Sequence, residues 1–259
     1  MRIRDKFEQL KKKNKKAFIG YVPFGFPKIK YTKDIILTLA AGLDLIEVGI
    51  PFSDPLADGP LIQRATSLAL DEGATVKETF KCLGQVKGKI KIPLVVMTYY
   101  NPVLRFGMEK FLQSMKESGV GGLMIVDLPL EESKEYIKAA RRFDIDTVFF
   151  ITPTTSLERA KKIAAISRGF IYYISITGIT GPKDFSCAPP ASHIRRLRKI
   201  TKLPICVGFG IHTSKQVRQV GSFSDGVIVG SRIVKFIEEN WRDKNFLGRL
   251  KAYIESLKA

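Results

Sequence analysis

The sequence is poor in the side chains that build metal centres and disulfide frameworks. It contains two histidines, His193 and His212, and three widely spaced cysteines, Cys82, Cys187 and Cys206, with no CxxC pair. An odd, scattered set of cysteines argues against a disulfide framework and a zinc site. Two histidines also cannot supply a histidine-rich metal centre. We therefore expect neither a structural metal nor a disulfide.

Long apolar segments are missing as well. No run approaches the roughly 18 apolar residues that a membrane-spanning helix needs. Residues 1–16 are too charged to contain the apolar centre of a secretion signal. We therefore expect a soluble cytoplasmic protein without a membrane partner.

Acidic residues are scarce relative to basic ones, since 43 Lys and Arg stand against 25 Asp and Glu and give a net charge of +18. Such an excess is typical of nucleic-acid binders, but also of lysine-rich solvated surfaces. The basic residues are dispersed, without an aromatic-interleaved RNA motif or zinc-finger spacing. We interpret them as solvated surface and expect no nucleic-acid partner. Salt-dependent DNA binding tighter than micromolar would favour the alternative.

Short apolar runs alternate with longer amphipathic segments along the whole chain. The runs predict strands at residues 18–22, 43–48, 92–98, 122–126, 147–151, 170–175, 205–208 and 226–229. Most are continuously apolar, as expected for parallel strands buried on both faces. Their spacing of about 30 residues fits βα units, and eight right-handed crossovers close into a barrel.

The pattern therefore predicts an α/β fold, a (β/α)8 TIM barrel, with residues 1–259 forming a single domain. Residues 1–16 carry Ile3, Phe7 and Leu10 at helical spacing and predict an N-terminal helix over the bottom of the barrel. An open doubly wound sheet is the alternative. It would need fewer strands, and no GxGxxG motif opens the first helix.

Helices are predicted between the strands, including two extra short ones at residues 61–70 and 231–238. The others span residues 32–41, 75–86, 108–118, 131–142, 192–200 and 246–257. Thr75, Thr155 and Thr213 each precede a Glu or Gln at the spacing of a capping box. Gly42 is expected just beyond the end of its helix.

Glu47 interrupts the second apolar run near its carboxyl end, which is where barrel active sites lie. Burial would raise the pKa of this carboxyl, as a general acid at neutral pH requires. A salt-bridged structural glutamate is the alternative. Asp58 follows in a loop rich in Pro and Gly, where it either forms a turn or returns over the strand end. Two carboxylates in different environments can divide proton transfer and charge stabilisation between them.

Glycines cluster after the sixth, seventh and eighth predicted strands. The clusters include Gly181, Gly210 and Gly230, and Ser231 opens a short helix directly after the last of them. Backbone N–H groups at such glycines, together with a helix N-terminus, bind anions. Phosphate bound after the last two strands is a recurrent barrel feature. Ordinary structural turns are the alternative interpretation.

Aromatic residues accompany these loops. Tyr172 lies within the sixth run, Tyr99 near the end of the third, and Phe209 between two glycines. The two tyrosines are candidates for plain core, and Phe209 is a candidate wall of an apolar aromatic pocket. Tyr99 and Tyr100 are also interpreted as exposed aromatics suited to a partner surface.

Residues 47–60, EVGIPFSDPLADGP, resemble the tryptophan synthase α subunit family. Further motifs match the same family in order and spacing: DLPLEES at 127–133, GITG at 178–181, GFGI at 208–211 and VGSRIVK at 229–235. The first motif is highly specific and the others moderately so. The similarity extends from Phe18 to the C-terminal helix.

The resemblance implies a lyase that cleaves indole-3-glycerol phosphate to indole and glyceraldehyde 3-phosphate, the first half of the last step of tryptophan biosynthesis. It implies no cofactor in this chain. It also implies an αββα complex with a tryptophan synthase β subunit that carries PLP. Residues 52–60, 177–191 and 100–106 would face that partner.

The resemblance also implies a role for each residue of the motifs. Glu47 would protonate indole C3, Asp58 would hold the indole N–H, and Tyr172 would lie beside both Glu47 and the substrate. Further substrate contacts would come from Tyr21, Tyr99, Thr180, Gly181, Phe209, Gly210, Gly230 and Ser231. Among these, the amides of Gly181, Gly210, Gly230 and Ser231 would hold the phosphate.

Three residues depart from the family pattern. Tyr21, Pro23 and Phe26 stand where the family more usually has Phe, Thr and Asp. They motivate an alternative, a catalytically weakened α subunit that acts mainly as an activator of the β subunit. Another phosphate-binding barrel would call for a Lys, Cys or metal ligands at strand ends, and the predicted strand ends show no such Lys or metal-ligand cluster.

Overall fold

The structure is a computed structural model that describes residues 1–175, 188–208 and 210–258, without the side chains of 188–190. The predictions for Thr180, Gly181, Phe209 and Cys187 lie outside the described residues, as does most of the loop 177–191.

The predicted strands are confirmed, with shifted ends and one interruption. The described residues form β1 Ala17–Pro23, β2 Leu45–Gly49, β3 Leu94–Thr98, β4 Gly122–Ile125, β5 Asp146–Thr147, β6 Phe149–Ile151, β7 Ile171–Ile174, β8 Ile205–Gly208 and β9 Gly226–Val229. All paired strands are parallel, in the order β5-β4-β3-β2-β1-β9-β8-β7-β6.

The fifth predicted strand closes the barrel in two pieces, β5 and β6, which only Val148 separates. The Val148 N–H donates to the Leu123 carbonyl of β4 at 3.1 Å, so this residue continues the pairing with one neighbour. On the other side, β6 pairs with β7. The two pieces therefore act as one strand between β4 and β7, and the barrel has the eightfold architecture that the sequence predicts.

Helices surround the strands. Their bounds are α1 Ile3–Lys12, α2 Ile29–Gly42, α3 Pro60–Asp71, α4 Val76–Val86, α5 Tyr100–Phe106, α6 Met108–Glu117, α7 Lys134–Phe143, α8 Leu157–Ile166, α9 Ala188–Leu197, α10 Ser214–Gly221, α11 Ser231–Asn240 and α12 Phe246–Lys258. A short 3-10 helix, Leu130–Glu132, precedes α7, so the helix predicted at 131–142 is broken near its start.

Two helix-end predictions were wrong for local reasons. Gly42 lies inside α2, and a Cβ there would approach Ile254 of α12 to 2.7 Å, so this glycine permits helix packing rather than a turn. Ser156, not Thr155, is the N-cap of α8. The Thr155 hydroxyl instead accepts the Thr152 N–H at 3.0 Å in the preceding turn. The caps at Thr75 and Thr213 are confirmed.

Helix α1 covers the amino-terminal end of the barrel, as predicted. Its buried residues Ile3, Phe7 and Leu10 join one cluster with the inward side chains of the strands. Ile3 is fully buried, and its Cδ1 would lie 2.7 Å from a Cβ added at Gly122, the first residue of β4. The apolar face of α1 therefore closes the barrel interior at the end opposite to the expected active site.

Alternation along β2 directs Glu47 into the barrel. Ile46 and Val48 belong to the cluster between strands and helices, whereas Leu45 belongs to the interior cluster. Because side chains two residues apart in a strand share a face, Glu47 points inward one layer above Leu45. The fold thus places this carboxyl on the barrel axis, near the carboxyl end of its strand.

Candidate active site

Glu47 is an acidic side chain in an apolar enclosure. It is 1% exposed, and among the described residues no group hydrogen-bonds to its Oε1. Loss of solvation by burial raises its pKa from 4.5 to about 8. The carboxyl is therefore mostly protonated at neutral pH and can donate a proton to a group placed above it.

Two tyrosines lean across neighbouring strands at the height of Glu47. Tyr21 on β1 lies opposite Glu47 in the strand register, and its hydroxyl occupies the space where a Cβ at Gly49 would be. Tyr172 on β7 reaches over Gly208 on β8 in the same way. A larger residue at either position would displace the tyrosine ring, because a close-packed interior leaves no room for another carbon.

The two hydroxyls share an electrostatic environment with the carboxylates. Burial, and then the charge of Asp58, raises the pKa of Tyr21, and burial followed by the charge of Glu47 raises that of Tyr172. Both groups therefore remain neutral phenols. The predicted neighbourhood of Tyr172 and Glu47 is present, with Tyr21 and Asp58 beside it.

Asp58 returns over the end of the barrel on the loop that follows β2. Pro60 starts α3 at its first turn, where proline is favoured, and Gly59 is the N-cap. The Tyr99 hydroxyl donates to Asp58 Oδ2 at 3.1 Å and accepts the Ala57 N–H at 3.0 Å. The loop is thereby fastened to the end of β3.

Asp58 has a different electrostatic setting from Glu47. Partial burial raises its pKa to about 6, and the hydrogen bond from Tyr99 acts in the opposite direction. The carboxyl is therefore mostly ionised at neutral pH, while Glu47 is mostly protonated. One group is suited to donate a proton, and the other to accept a hydrogen bond and face a positive charge.

A cavity of about 10 Å³ lies beside Asp58, lined among others by Tyr21, Gly49, Phe52 and Tyr99. A far larger hollow of about 1090 Å³ lies beside α1 at the opposite end of the barrel. We assign the active site to the end of the barrel that holds the small cavity, because barrel enzymes work at the carboxyl ends of their strands.

Two of the glycines predicted to bind phosphate, Gly210 and Gly230, follow β8 and β9 at the carboxyl end of the barrel. Gly210 has a φ of +74°, a conformation that side chains rarely tolerate. Helix α11 begins at Ser231, and its N-cap residue is Gly230, so no N-cap side chain accepts a hydrogen bond from the first amides of the helix. The first N–H groups of a helix lack intrahelical partners and carry its positive dipole.

For Tyr99 the sequence left two interpretations open, a buried aromatic and an exposed one, and the structure agrees with the first. Tyr99 is not an exposed aromatic, since it is 6% exposed and packs on Phe52 with ring centroids 5.3 Å apart. The hydrogen bonds of Tyr99 with Asp58 and Ala57 were not anticipated either. The loop between residues 50 and 60 gave no sequence signal for this contact, which joins residues about forty positions apart.

Comparison with known proteins identifies relatives over the whole length. The family described as "Tryptophan synthase alpha chain" matches residues 7–259. The tryptophan synthase alpha chain of Petrotoga mobilis is 42% identical over 248 residues, which cover 95% of this chain and 96% of the relative. That of Geotalea uraniireducens is 40% identical over 259 residues, covering 100% and 97%.

Solved structures agree with the sequence relatives. The tryptophan synthase subunit alpha from Legionella pneumophila superposes with a TM-score of 0.91 at 32% identity, covering 98% of this chain and 96% of that one. The aminoacrylate-bound tryptophan synthase from M. tuberculosis gives 0.88 at 32% identity, covering 98% and 97%. The chain therefore belongs to the tryptophan synthase alpha chain family.

Proposed function

We propose that this chain cleaves indole-3-glycerol phosphate to indole and glyceraldehyde 3-phosphate, with Glu47 and Asp58 acting on opposite sides of the indole ring. The observation that carries the proposal is the pair of carboxyls at the barrel mouth. Glu47 is buried, one of its oxygens has no hydrogen-bond partner among the described residues, and Asp58 is partly buried and hydrogen-bonded. Their different surroundings raise the pKa of Glu47 to about 8 and that of Asp58 to about 6.

Glu47 acts as the acid. Protonation of indole C3 gives an indolenine cation, into which the electrons of the breaking C3–C bond can return. As that bond breaks, the adjacent carbon of the glycerol chain becomes the aldehyde carbon. The proton of its hydroxyl passes back to the Glu47 carboxylate, so the acid is regenerated and no cofactor is consumed.

Asp58 acts as the acceptor at the ring nitrogen. An ionised carboxylate there binds the indole N–H and stabilises the positive charge that spreads to nitrogen when C3 is protonated. Tyr172 packs beside Glu47 and the substrate. Tyr21 and Tyr99 wall the indole pocket, and the family resemblance adds Phe209, which lies outside the described residues.

The phosphate belongs to the glycine side of the mouth. Amides of Gly210, Gly230 and Ser231 are the proposed donors, supported by the positive φ of Gly210 and the start of α11 at Ser231. Gly181 and Thr180, which lie outside the described residues, complete the proposal. The family resemblance assigns Gly181 as another phosphate donor and Thr180 as a further substrate contact.

The partner in the proposal is a tryptophan synthase β subunit, in an αββα assembly. Solved tryptophan synthase from M. tuberculosis contains a chain that superposes on this one along 98% of its length. PLP is assigned to the β subunit and not to this chain. The proposal treats residues 1–259 as one domain and places it in the cytoplasm. Within the described residues, no helix combines the length and apolar composition needed to cross a membrane.

Replacement of the proposed acid tests the function. Glu47→Gln keeps the shape of the side chain and removes its proton, so indole release should fall by at least about 100-fold while the fold persists. Glu255→Gln, on the exposed face of α12, is the matched control and should leave indole release unchanged. Near-normal indole release by folded Glu47→Gln would refute the assignment.

A β-subunit activator without its own chemistry is not favoured, because the buried acid and its ionised counterpart are both in place. The same assay distinguishes the two functions when a β subunit is added. Stimulation of synthesis from serine and indole, without cleavage of indole-3-glycerol phosphate by the wild-type chain, would support the activator.

A further inference from the structure

The Tyr99 hydroxyl occupies a junction between a rigid strand and a surface loop. Tyr99 follows the last residue of β3, is 6% exposed, and is the N-cap residue of α5. Its ring packs on Phe52 at the start of the loop, while its hydroxyl reaches Ala57 and Asp58 near the end. A single side chain thus contacts both ends of the loop.

The loop has little other support around its centre. Ser53, Asp54, Leu56 and Ala57 are exposed. Within the described residues, Gln63 is the other side chain whose hydrogen bond reaches Asp58, and its Nε2 donates to the backbone carbonyl at 2.9 Å. That bond holds the Asp58 backbone, whereas the Asp58 carboxylate is held by the hydrogen bond from Tyr99. The direction of the Asp58 carboxylate therefore depends on the Tyr99 hydroxyl.

We propose that Tyr99 is a positioning residue for the cleavage reaction, whose hydroxyl aims the Asp58 carboxylate into the pocket and holds the Ala57 amide of the loop after β2. The inference rests on the proposed role of Asp58 and adds the group that holds it. One hydroxyl serves both contacts, because it donates to the carboxylate and accepts from the amide.

The electrostatics of the site agree with this geometry. A hydrogen bond to the ionised carboxylate favours that form, so Tyr99 holds the pKa of Asp58 below the value that burial alone would give. Burial and the neighbouring Asp58 raise the pKa of Tyr99 itself, which keeps its donor proton in place. Among the described residues, the charge of Asp58 also raises the pKa of Tyr21 on β1 and of Tyr172 on β7, both neutral phenols. The charge of Asp127 likewise raises the pKa of Tyr99.

Tyr99→Phe removes the hydroxyl and keeps the ring, so it is the test variant. Tyr253→Phe is the matched control, because the Tyr253 hydroxyl is buried and has no hydrogen-bond partner among the described residues. Both variants are made in the full chain. The carboxyl of Asp58 is titrated by carbon-13 NMR, and amide exchange of Ala57 is measured alongside the pH dependence of kcat/KM for indole-3-glycerol phosphate.

In Tyr99→Phe we expect the Asp58 pKa to rise by about one pH unit, since a hydrogen bond to the charged form is lost. Ala57 exchange should accelerate about tenfold or more, and the acid limb of kcat/KM should move upward with the Asp58 pKa. Tyr253→Phe should change none of these quantities.

An unchanged Asp58 pKa in folded Tyr99→Phe would overturn the inference, whatever happens to the rate. Loss of kcat/KM by the same factor at every pH would also overturn it, because that pattern reports a structural role. If the pKa and the Ala57 exchange respond but the wild-type chain releases no indole, the positioning stands and the proposed function fails. The two proposals are therefore tested separately.

Discussion

Glu47 and Asp58 carry the same functional group and differ in what surrounds it. Glu47 points into the apolar barrel, where solvation of its charged form is lost. Asp58 lies on a loop at the rim, where the Tyr99 hydroxyl stabilises its charge. The difference in pKa between the two acids is thus set by the elements that carry them, one a barrel strand and the other a surface loop.

The first prediction is a bell-shaped pH profile of kcat/KM. The protonated acid is lost as pH rises through the Glu47 pKa of about 8, and the ionised acceptor is lost as pH falls through the Asp58 pKa of about 6. Activity should therefore be greatest near neutral pH and decline on both sides. Steady-state indole release across pH 5 to 10 is the measurement.

Asp58→Asn separates the two limbs of that profile. Asparagine keeps an acceptor oxygen but cannot ionise, so the acid limb should disappear while the basic limb near pH 8 remains. Retention of an acid limb near pH 6 in this variant would assign the limb to another group.

The sequence predicted the chemistry of individual residues better than their contacts. Glu47 was identifiable because a charged residue interrupts an apolar run near a strand end. The bond between Tyr99 and Asp58 was not, because it joins two loops that only the closed barrel brings together. Thr155 failed for a related reason, since its hydroxyl was equally suited to the preceding turn and was used there.

At the scale of elements, α1 is an integral part of the barrel. It contributes three apolar side chains to the same cluster as the strands, and Lys6 forms an ion pair with Asp44 at 3.0 Å. Both groups of that pair are largely buried, whereas many other ion pairs of the chain lie at the surface. The helix therefore fills the end of the barrel that carries no proposed chemistry.

Ile3→Ala tests the contribution of this helix to stability. Ile3 is fully buried against the start of β4, so the free energy of unfolding should fall by about 2–5 kcal/mol. The exposed neighbour Arg4 is the control. Arg4→Ala should change the free energy of unfolding by less than about 0.5 kcal/mol. Urea unfolding compares the two, and equal effects would show that α1 is not packed as described.

The periodicity of the sequence predicted which elements exist, and long-range packing set their ends. β5 and β6 were expected as one strand, and the backbone interrupts it where pairing passes from β4 to β7. Gly42 was read as a helix terminator, but its role depends on Ile254, more than two hundred positions away. Local patterns contain no information on such partners.

At the scale of the whole molecule, the two ends of the barrel differ in function. The carboxyl end carries both acids. It also carries the two large apolar side chains that are most exposed among the described residues, Leu56 at 86% on the loop after β2 and Leu104 at 60% on α5. Exposed apolar groups at one end are typical of a protein interface. These side chains lie at the same end as the proposed active site, so we assign the carboxyl end of the barrel to the contact with the β subunit.

Leu104→Glu tests that assignment. A charge in the apolar centre of an interface should weaken binding of a β subunit by about 10–100-fold, measured by titration calorimetry. Cleavage by the isolated chain should be unchanged, because Leu104 points into solvent. Leu247→Glu on α12, at 36% exposure, is the control and should leave binding intact. Equal losses in both variants would contradict the placement of the interface.

The protonation state of Glu47 in the intact chain tests the central claim most directly. Carbon-13 NMR of labelled glutamate carboxyls, with Glu47→Gln to assign the resonance, gives this titration without any substrate. The structure predicts a midpoint near pH 8 and a carboxyl that is mostly protonated at pH 7. A midpoint near 4.5, the value of a solvated glutamate, would contradict the role of Glu47 as the proton donor.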